Sequence, residues 1–95
     1  AAADDVTDDE IREAIQLLAE TEGIFAETAG GVTVGVAKKL IASGAIPADD
    51  SAVLCITGNG LKTIDAVEDH VGKPHEIKPS LREFDVFVEK ELTIK

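Results

Sequence analysis

The sequence predicts an α/β fold, specifically a fragment of a parallel-sheet domain that holds one βαβ unit with flanking helices. A continuous apolar run at residues 52–56 is typical of a strand covered on both faces. A shorter apolar triplet occupies residues 24–26, and a helical pattern lies between the two. The order strand, helix, strand implies a parallel pair with a right-handed crossover. Residues 24–56 therefore form the predicted βαβ unit.

The size of the chain limits what this unit can become. With 95 residues, the chain holds one domain at most. A parallel pair needs further strands beside it and helices on both of its faces. The helices available in this sequence cannot supply that cover. We therefore expect residues 1–95 to be an incomplete piece of a larger α/β enzyme.

The first element is a helix predicted over about 7–20. Thr7 and Glu10 have the spacing of a capping box, in which each side chain satisfies a backbone donor of the first turn. Apolar residues then recur at helical spacing until Gly23, which ends the pattern. The strand predicted at about 24–26 follows directly.

The second helix is predicted over about 29–43. It opens on Gly30 and Gly31, which permit close backbone approach or an unusual φ, and it ends before Gly44. The second strand is predicted at about 52–57. It contains Cys55, which we interpret as a buried, inert core residue because an apolar strand raises the pKa of a thiol.

The last element is a helix predicted over about 80–92. Ser80 and Glu83 form a second capping box, and Leu81 and Phe84 begin an apolar helical face. A strand at 85–88 is the weaker alternative, because the capping box sets helical periodicity from the start.

Charge and hydropathy limit the cellular location of the protein and the classes of partner that it can bind. The net charge is −10 and the nine Lys and Arg residues are scattered, so no basic stripe is present for nucleic acid. No apolar run approaches the roughly 20 residues that span a bilayer, and no signal peptide is recognisable. We expect a cytoplasmic protein that binds neither nucleic acid nor membrane.

Two segments follow the predicted strands and are candidates for a ligand site. They are residues 27–31 and residues 57–60. Ligands of open α/β sheets bind beyond the carboxyl ends of strands, so both segments would line one wall of a pocket. Thr57 offers a hydroxyl group, Gly58 leaves the backbone open to approach, and Asn59 adds a donor and an acceptor. A plain tight turn that requires positive φ is the alternative at 57–60.

Other chemistry is weakly supported. His70 and His75 lack the cysteine or carboxylate companions that a metal site needs, so we predict no metal. Lys62 lies outside the pattern of a nucleotide-binding phosphate loop. We assign no catalytic residue within the chain.

The motifs at residues 22–31 and 55–62, with the helix between them, resemble the C-terminal part of threonine synthases. Their letters in this sequence are EGIFAETAGG and CITGNGLK. Threonine synthases belong to the tryptophan-synthase-β-like, fold type II enzymes, which use pyridoxal 5′-phosphate. The resemblance spans about residues 6 to 63 in order and spacing.

The resemblance implies a lyase that converts O-phospho-L-homoserine and water to L-threonine and phosphate, with the cofactor as electron sink. Thr57 matches the position whose hydroxyl group contacts the pyridine nitrogen, and Gly58 and Asn59 shape the same wall. Glu27 and Thr28 match a segment along the edge of the cofactor. The family's Schiff-base lysine and phosphate-binding loop match nothing here and are expected upstream, so the isolated chain should be inactive.

Two other interpretations stay open. One is a fragment of a serine or threonine dehydratase, which shares the fold and the cofactor. The other is a small assembly module without catalysis, since exposed strand edges favour pairing with a second chain. A homodimer formed in that way is a further hypothesis.

Overall fold

Residues 1–92 are described by the computed structural model, and within that range all regular structure is helical. Helix α1 spans Asp8–Glu22 and helix α2 spans Thr28–Ala42. A 3₁₀ helix follows at Gly60–Ala66, then helix α3 at Leu81–Phe87, which continues into a π-helical turn at Val88–Leu92. No strand and no sheet occur among these residues. The predicted α/β fragment with a βαβ unit is therefore wrong for the described structure.

Helix α1 begins where its capping box lies. The Thr7 hydroxyl oxygen accepts from the Glu10 amide at 3.2 Å, and the Glu10 carboxylate accepts from the Thr7 amide at 3.0 Å. The helix, predicted over about 7–20, extends to Glu22 and stops at Gly23, whose φ of 68° is left-handed. Since glycine adopts this conformation without steric cost, local chemistry fixes both ends of α1.

Helices α1 and α2 pack against each other and form the core. Buried apolar residues in and beside this contact are Ala14, Ile15, Leu18, Ala26, Val34 and Ala37. Gly31 permits the close approach, because a Cβ atom there would lie 2.8 Å from Ile15 Cγ1 and 2.9 Å from the Ile11 carbonyl oxygen. Gly31 thus serves packing between the helices, whereas a Cβ atom on Gly30 would meet Ala26 in the segment before α2. Neither has a positive φ.

The two predicted strands, at 24–26 and 52–57, are unpaired in the described structure. Residues 23–27 and 51–57 carry no regular structure. One backbone hydrogen bond links the first segment to the turn that follows the second: the Gly60 amide donates to the Phe25 carbonyl oxygen at 3.0 Å. Val53 is 90% exposed. The apolar pattern predicts a buried strand, but no described segment lies alongside 52–56 to complete a hydrogen-bonded ladder.

Cys55 lies in the same segment and is exposed. The prediction that it is a buried core residue is therefore wrong, for the same reason. Only Ile56 in this run is half-buried, and it packs against the core formed by α1 and α2.

The C-terminal part extends away from the helical pair. Helix α3 has Ser80 as its N-cap, whose hydroxyl group accepts from the Glu83 amide at 3.1 Å. The Ser80 amide donates to the Lys78 carbonyl oxygen at 2.8 Å, so only half of the predicted capping box forms. It buries none of its residues, and Leu81 is 75% exposed. The chain measures 59 × 27 × 20 Å, so this region makes the molecule elongated. Residues 93–95 lie outside the described residues.

In the part of the chain that the structure describes, every helix is too short or too polar to cross a bilayer.

Candidate functional site

The segment that leads into α2 and the turn at 57–60 lie against each other. The Gly60 amide donates to the Phe25 carbonyl oxygen at 3.0 Å. The Phe25 ring covers Gly60, which is buried, and a Cβ atom on Gly60 would overlap that ring. The α2 N-terminus and the turn, which sequence reasoning placed at one edge of a sheet, are therefore neighbours although no sheet is present.

Glu27 and Gly58 form the second contact between these segments. Gly58 has a φ of 76°, and a Cβ atom there would overlap the Glu27 carboxyl group. The positive φ disfavours any side chain at this position, and a side chain there would also force the Glu27 carboxyl group to move. The Glu27 side chain is 16% exposed, so its carboxyl group is largely enclosed.

Lys62 and Thr63 supply two further contacts. Lys62 Nζ lies 3.1 Å from Glu27 Oε2, and its side chain is 65% exposed. The Thr28 amide donates to Thr63 Oγ1 at 3.3 Å, which satisfies a donor of the first turn of α2. Four contacts thus join residues 25–28 to residues 58–63.

Thr57 and Asn59 lie on the open side of the turn, and both are exposed. The Asn59 side-chain oxygen accepts from the Leu61 amide at 2.8 Å and so caps the 3₁₀ helix. The Thr57 hydroxyl group makes no hydrogen bond within residues 1–92. Asn59 therefore has a clear structural role, whereas Thr57 keeps its hydrogen-bonding capacity available at the surface.

Sequence reasoning named Glu27, Thr28, Thr57, Gly58 and Asn59, and the structure brings the two segments that carry them together. It missed that Lys62 pairs with Glu27. No local pattern indicates this pair, because the two residues lie 35 positions apart in the sequence and meet only through the fold. Among residues 1–92, no group of three or more His, Cys, Asp or Glu side chains is arranged to hold a metal ion.

Comparison with known proteins places these segments in a family. The family model described as "Pyridoxal-phosphate dependent enzyme" matches residues 2–58, which is more than half of the chain. This chain belongs to that family. The match includes the segment before α2 and ends at Gly58 in the turn.

Several relatives are threonine synthases. The chain is 51% identical over 59 residues to threonine synthase of Halalkalibacterium halodurans, which covers 62% of this chain and 17% of that protein. It is 48% identical over 64 residues to the enzyme of Methanocaldococcus jannaschii, covering 67% and 16%. It is 39% identical over 78 residues to threonine synthase of Synechocystis, and the match covers 81% of this chain and 19% of that protein. The chain thus spans less than a fifth of the length of these relatives.

These findings confirm the resemblance to threonine synthases and the pyridoxal phosphate dependence of the family. The residues of the turn fit that cofactor. The Thr57 hydroxyl group is exposed and is able to donate or accept a hydrogen bond, as a neutral partner of such a cofactor must.

Proposed function

We propose that this chain is part of a threonine synthase, which converts O-phospho-L-homoserine and water to L-threonine and phosphate. The observation that supports this most is the sequence identity of 39–51% to proteins of that name, over 59 to 78 residues of this chain. The adjoining placement of residues 25–28 and 58–63 adds support, because both segments carry the residues assigned to the cofactor wall.

Thr57 is the proposed contact to the pyridine nitrogen of the cofactor. When bound, pyridoxal phosphate supplies an electron sink for the reacting substrate. A threonine hydroxyl group is neutral, so it orients the ring without the negative charge that would favour a protonated nitrogen. A ring of this kind withdraws electrons less strongly, which suits elimination and replacement better than transamination.

Gly58, Asn59, Glu27 and Thr28 form the proposed remainder of this wall. Gly58 keeps the turn in a conformation with a φ of 76°, which disfavours any side chain. Asn59 holds the following helix in place through its cap. Glu27 and Thr28 support the turn from the α2 side through Lys62 and Thr63.

No residue of this chain is assigned as the lysine that attaches the cofactor. Lys62 is engaged with Glu27, which argues against that role. We propose that the attaching lysine and the phosphate-binding loop lie elsewhere in the complete enzyme. The 95-residue chain by itself should then bind the cofactor weakly and catalyse nothing. Cofactor that becomes fixed to the purified chain after borohydride treatment would contradict this assignment.

The substrate is tested with the protein made from the whole reading frame that contains these residues. Given O-phospho-L-homoserine, it should release phosphate and form L-threonine in equal amounts. Given L-threonine instead, it should form a 2-oxo acid and ammonia only slowly. Rapid formation of a 2-oxo acid and ammonia from threonine, with no phosphate release from phosphohomoserine, would favour the dehydratase.

The role of Thr57 is tested in the same protein with Thr57→Val and Thr57→Ser. The valine variant should lose about tenfold in kcat/KM, since one hydrogen bond to the ring is removed. The serine variant keeps the hydroxyl group and should stay close to the parent. Equal activity of all three proteins would remove Thr57 from the site.

We further propose a cytoplasmic location and a homodimer. The exposed extended segment at 52–56 is the basis for the dimer, because unpaired backbone groups favour association. Light scattering after size exclusion, at two concentrations, tests it. A strict monomer at the higher concentration would contradict it.

A further inference from the structure

We infer that Lys62 is a positioning residue, which holds Glu27 against the backbone of Gly58 and thereby fixes the turn that carries Thr57. The link from the turn to the cofactor rests on the proposed function. The positioning of the turn itself does not, because it concerns only contacts within this chain.

The first step of the argument is the enclosure of Glu27. Its side chain is 16% exposed and its carboxyl group occupies the space where a side chain of Gly58 would stand. A largely enclosed carboxylate loses hydration and needs a compensating partner. Lys62, 3.1 Å away, is the only cation paired with it among residues 1–92.

The second step is the position of Lys62 in the chain. It lies in the first turn of the 3₁₀ helix, which begins at Gly60, and Gly60 is bonded to Phe25. Two contacts therefore hold the two segments together: the hydrogen bond between Gly60 and Phe25, and the ion pair between Lys62 and Glu27. Both contacts lie at or just after the end of the turn at 57–60.

The third step concerns the conformation that is held. Gly58 has a φ of 76°, which an unconstrained glycine adopts about as readily as a negative value. The packed Glu27 carboxyl group selects one of these states. Since Thr57 immediately precedes Gly58, a turn free to leave this state would no longer present the Thr57 hydroxyl group in one direction.

Hydrogen exchange of the Gly60 amide tests the inference directly in the protein made from the whole reading frame that contains these residues. This amide bonds the Phe25 carbonyl oxygen and reports whether the turn stays closed. In Lys62→Met, its exchange should rise about fivefold, as expected from loss of a partly exposed ion pair. Lys62→Arg keeps the charge and should restore slow exchange.

Lys38→Met is the matched control. Lys38 lies on the exposed side of α2 and makes no ion pair in the described part of the chain, so this variant removes the same charge without touching the turn. Its Gly60 amide should exchange as in the parent chain. Unchanged exchange in Lys62→Met, or an equal rise in Lys38→Met, would overturn the inference.

Glu27→Gln provides a second variant that keeps the size of the side chain. It should raise Gly60 exchange as Lys62→Met does, and the double variant should add little, because both changes break one pair. Effects that simply add would contradict a shared mechanism.

A measurement on the complete protein separates this inference from the proposed function. The dissociation constant for pyridoxal phosphate, read from the absorbance of the bound cofactor, should rise in Lys62→Met and recover in Lys62→Arg. If the complete parent protein binds no pyridoxal phosphate, the proposed function fails while the exchange result still decides the positioning. If it binds equally well in Lys62→Met, the link from Lys62 to the cofactor fails.

Discussion

The helical pair α1–α2 and the region after residue 50 carry similar amounts of apolar sequence, yet they use it differently. Nearly all buried apolar side chains belong to the helical pair and the segment that joins its helices. Among residues 51–92, Val67 is the only hydrophobic residue that is buried. Val53 and Leu81 are 90% and 75% exposed. Apolar residues are buried where their partners lie nearby in sequence, and they stay exposed where partners must come from elsewhere.

The strongest way to sharpen this contrast is to truncate one apolar residue in each region. Ile15 is 3% exposed and Val53 is 90% exposed. Ile15→Ala should lower the free energy of unfolding by about 3 kcal/mol, through lost burial and the cavity left behind. Val53→Ala should change it by less than about 0.5 kcal/mol. Urea denaturation followed by circular dichroism measures both, and comparable losses would erase the distinction between the regions.

A second comparison uses glycines. An added methyl group at Gly31 would meet Ile15 and the Ile11 carbonyl oxygen, whereas one at Gly72 meets nothing within 4 Å. Gly31→Ala should destabilise the chain by about 2 kcal/mol, because the backbone of α1 must shift to make room. Gly72→Ala should be close to neutral. Thermal melts of the two variants decide, and a stable Gly31→Ala protein would mean that the helices can separate without cost.

The two capping residues offer a third comparison. Thr7→Ala removes the cap of a packed helix and should cost about 1 kcal/mol of unfolding free energy. Ser80→Ala removes the cap of α3, which buries nothing, so it should leave the melting of the helical pair unchanged. Amide exchange in the first turn of α3 should still rise. A shift of the main transition by Ser80→Ala would show that α3 is coupled to the core.

The smallest expected effect concerns pH. The backbone hydrogen bond from Thr7, and next the hydrogen bond from Lys39, lower the pKa of Glu10. The Glu10 hydrogen bond in turn raises the pKa of Lys39. Glu10 therefore stabilises the folded chain above its unfolded pKa, and this contribution disappears as pH falls through the lower folded value.

Lys39 behaves in the opposite direction. Its contribution is complete below its unfolded pKa and disappears as pH rises through the higher folded value. Melting temperatures should fall at both extremes, below the ordinary glutamate range near pH 4.3 and above the lysine range near pH 10.4. Glu10→Gln should flatten the acid limb, whereas Glu20→Gln, on the same helix, should not. An unchanged acid limb in Glu10→Gln would contradict the coupling.

For the fold, the sequence predicted helix caps correctly but did not predict which distant segments pair. The Thr7 capping box, the stop at Gly23 and the cap at Ser80 depend on residues within four positions of one another, and each occurs in the structure. The strands predicted at 24–26 and 52–57 required a neighbour distant in sequence. An apolar run records that a segment can be buried, but it does not supply the segment that buries it.

For the candidate site, the sequence identified the turn at 57–60 and the segment after Phe25 as chemically distinctive. It also connected them to threonine synthases through their motifs, and the family comparison confirms that resemblance. It gave no indication that Lys62 pairs with Glu27 or that Gly58 is packed against a carboxyl group. Contacts of this kind depend on tertiary geometry and leave no spacing pattern in the chain.

The sequence by itself determined where α1 and α3 begin, where α1 ends and which family the chain resembles, because helix caps and motifs are encoded within a few neighbouring residues. Only the tertiary structure decided that Gly31 serves close helix packing, that residues 52–55 lie exposed without a strand partner, and that Glu27 lies against the turn at Gly58. Burial and pairing depend on which distant segments come together, and a linear pattern specifies the capacity for such contacts without specifying the partner.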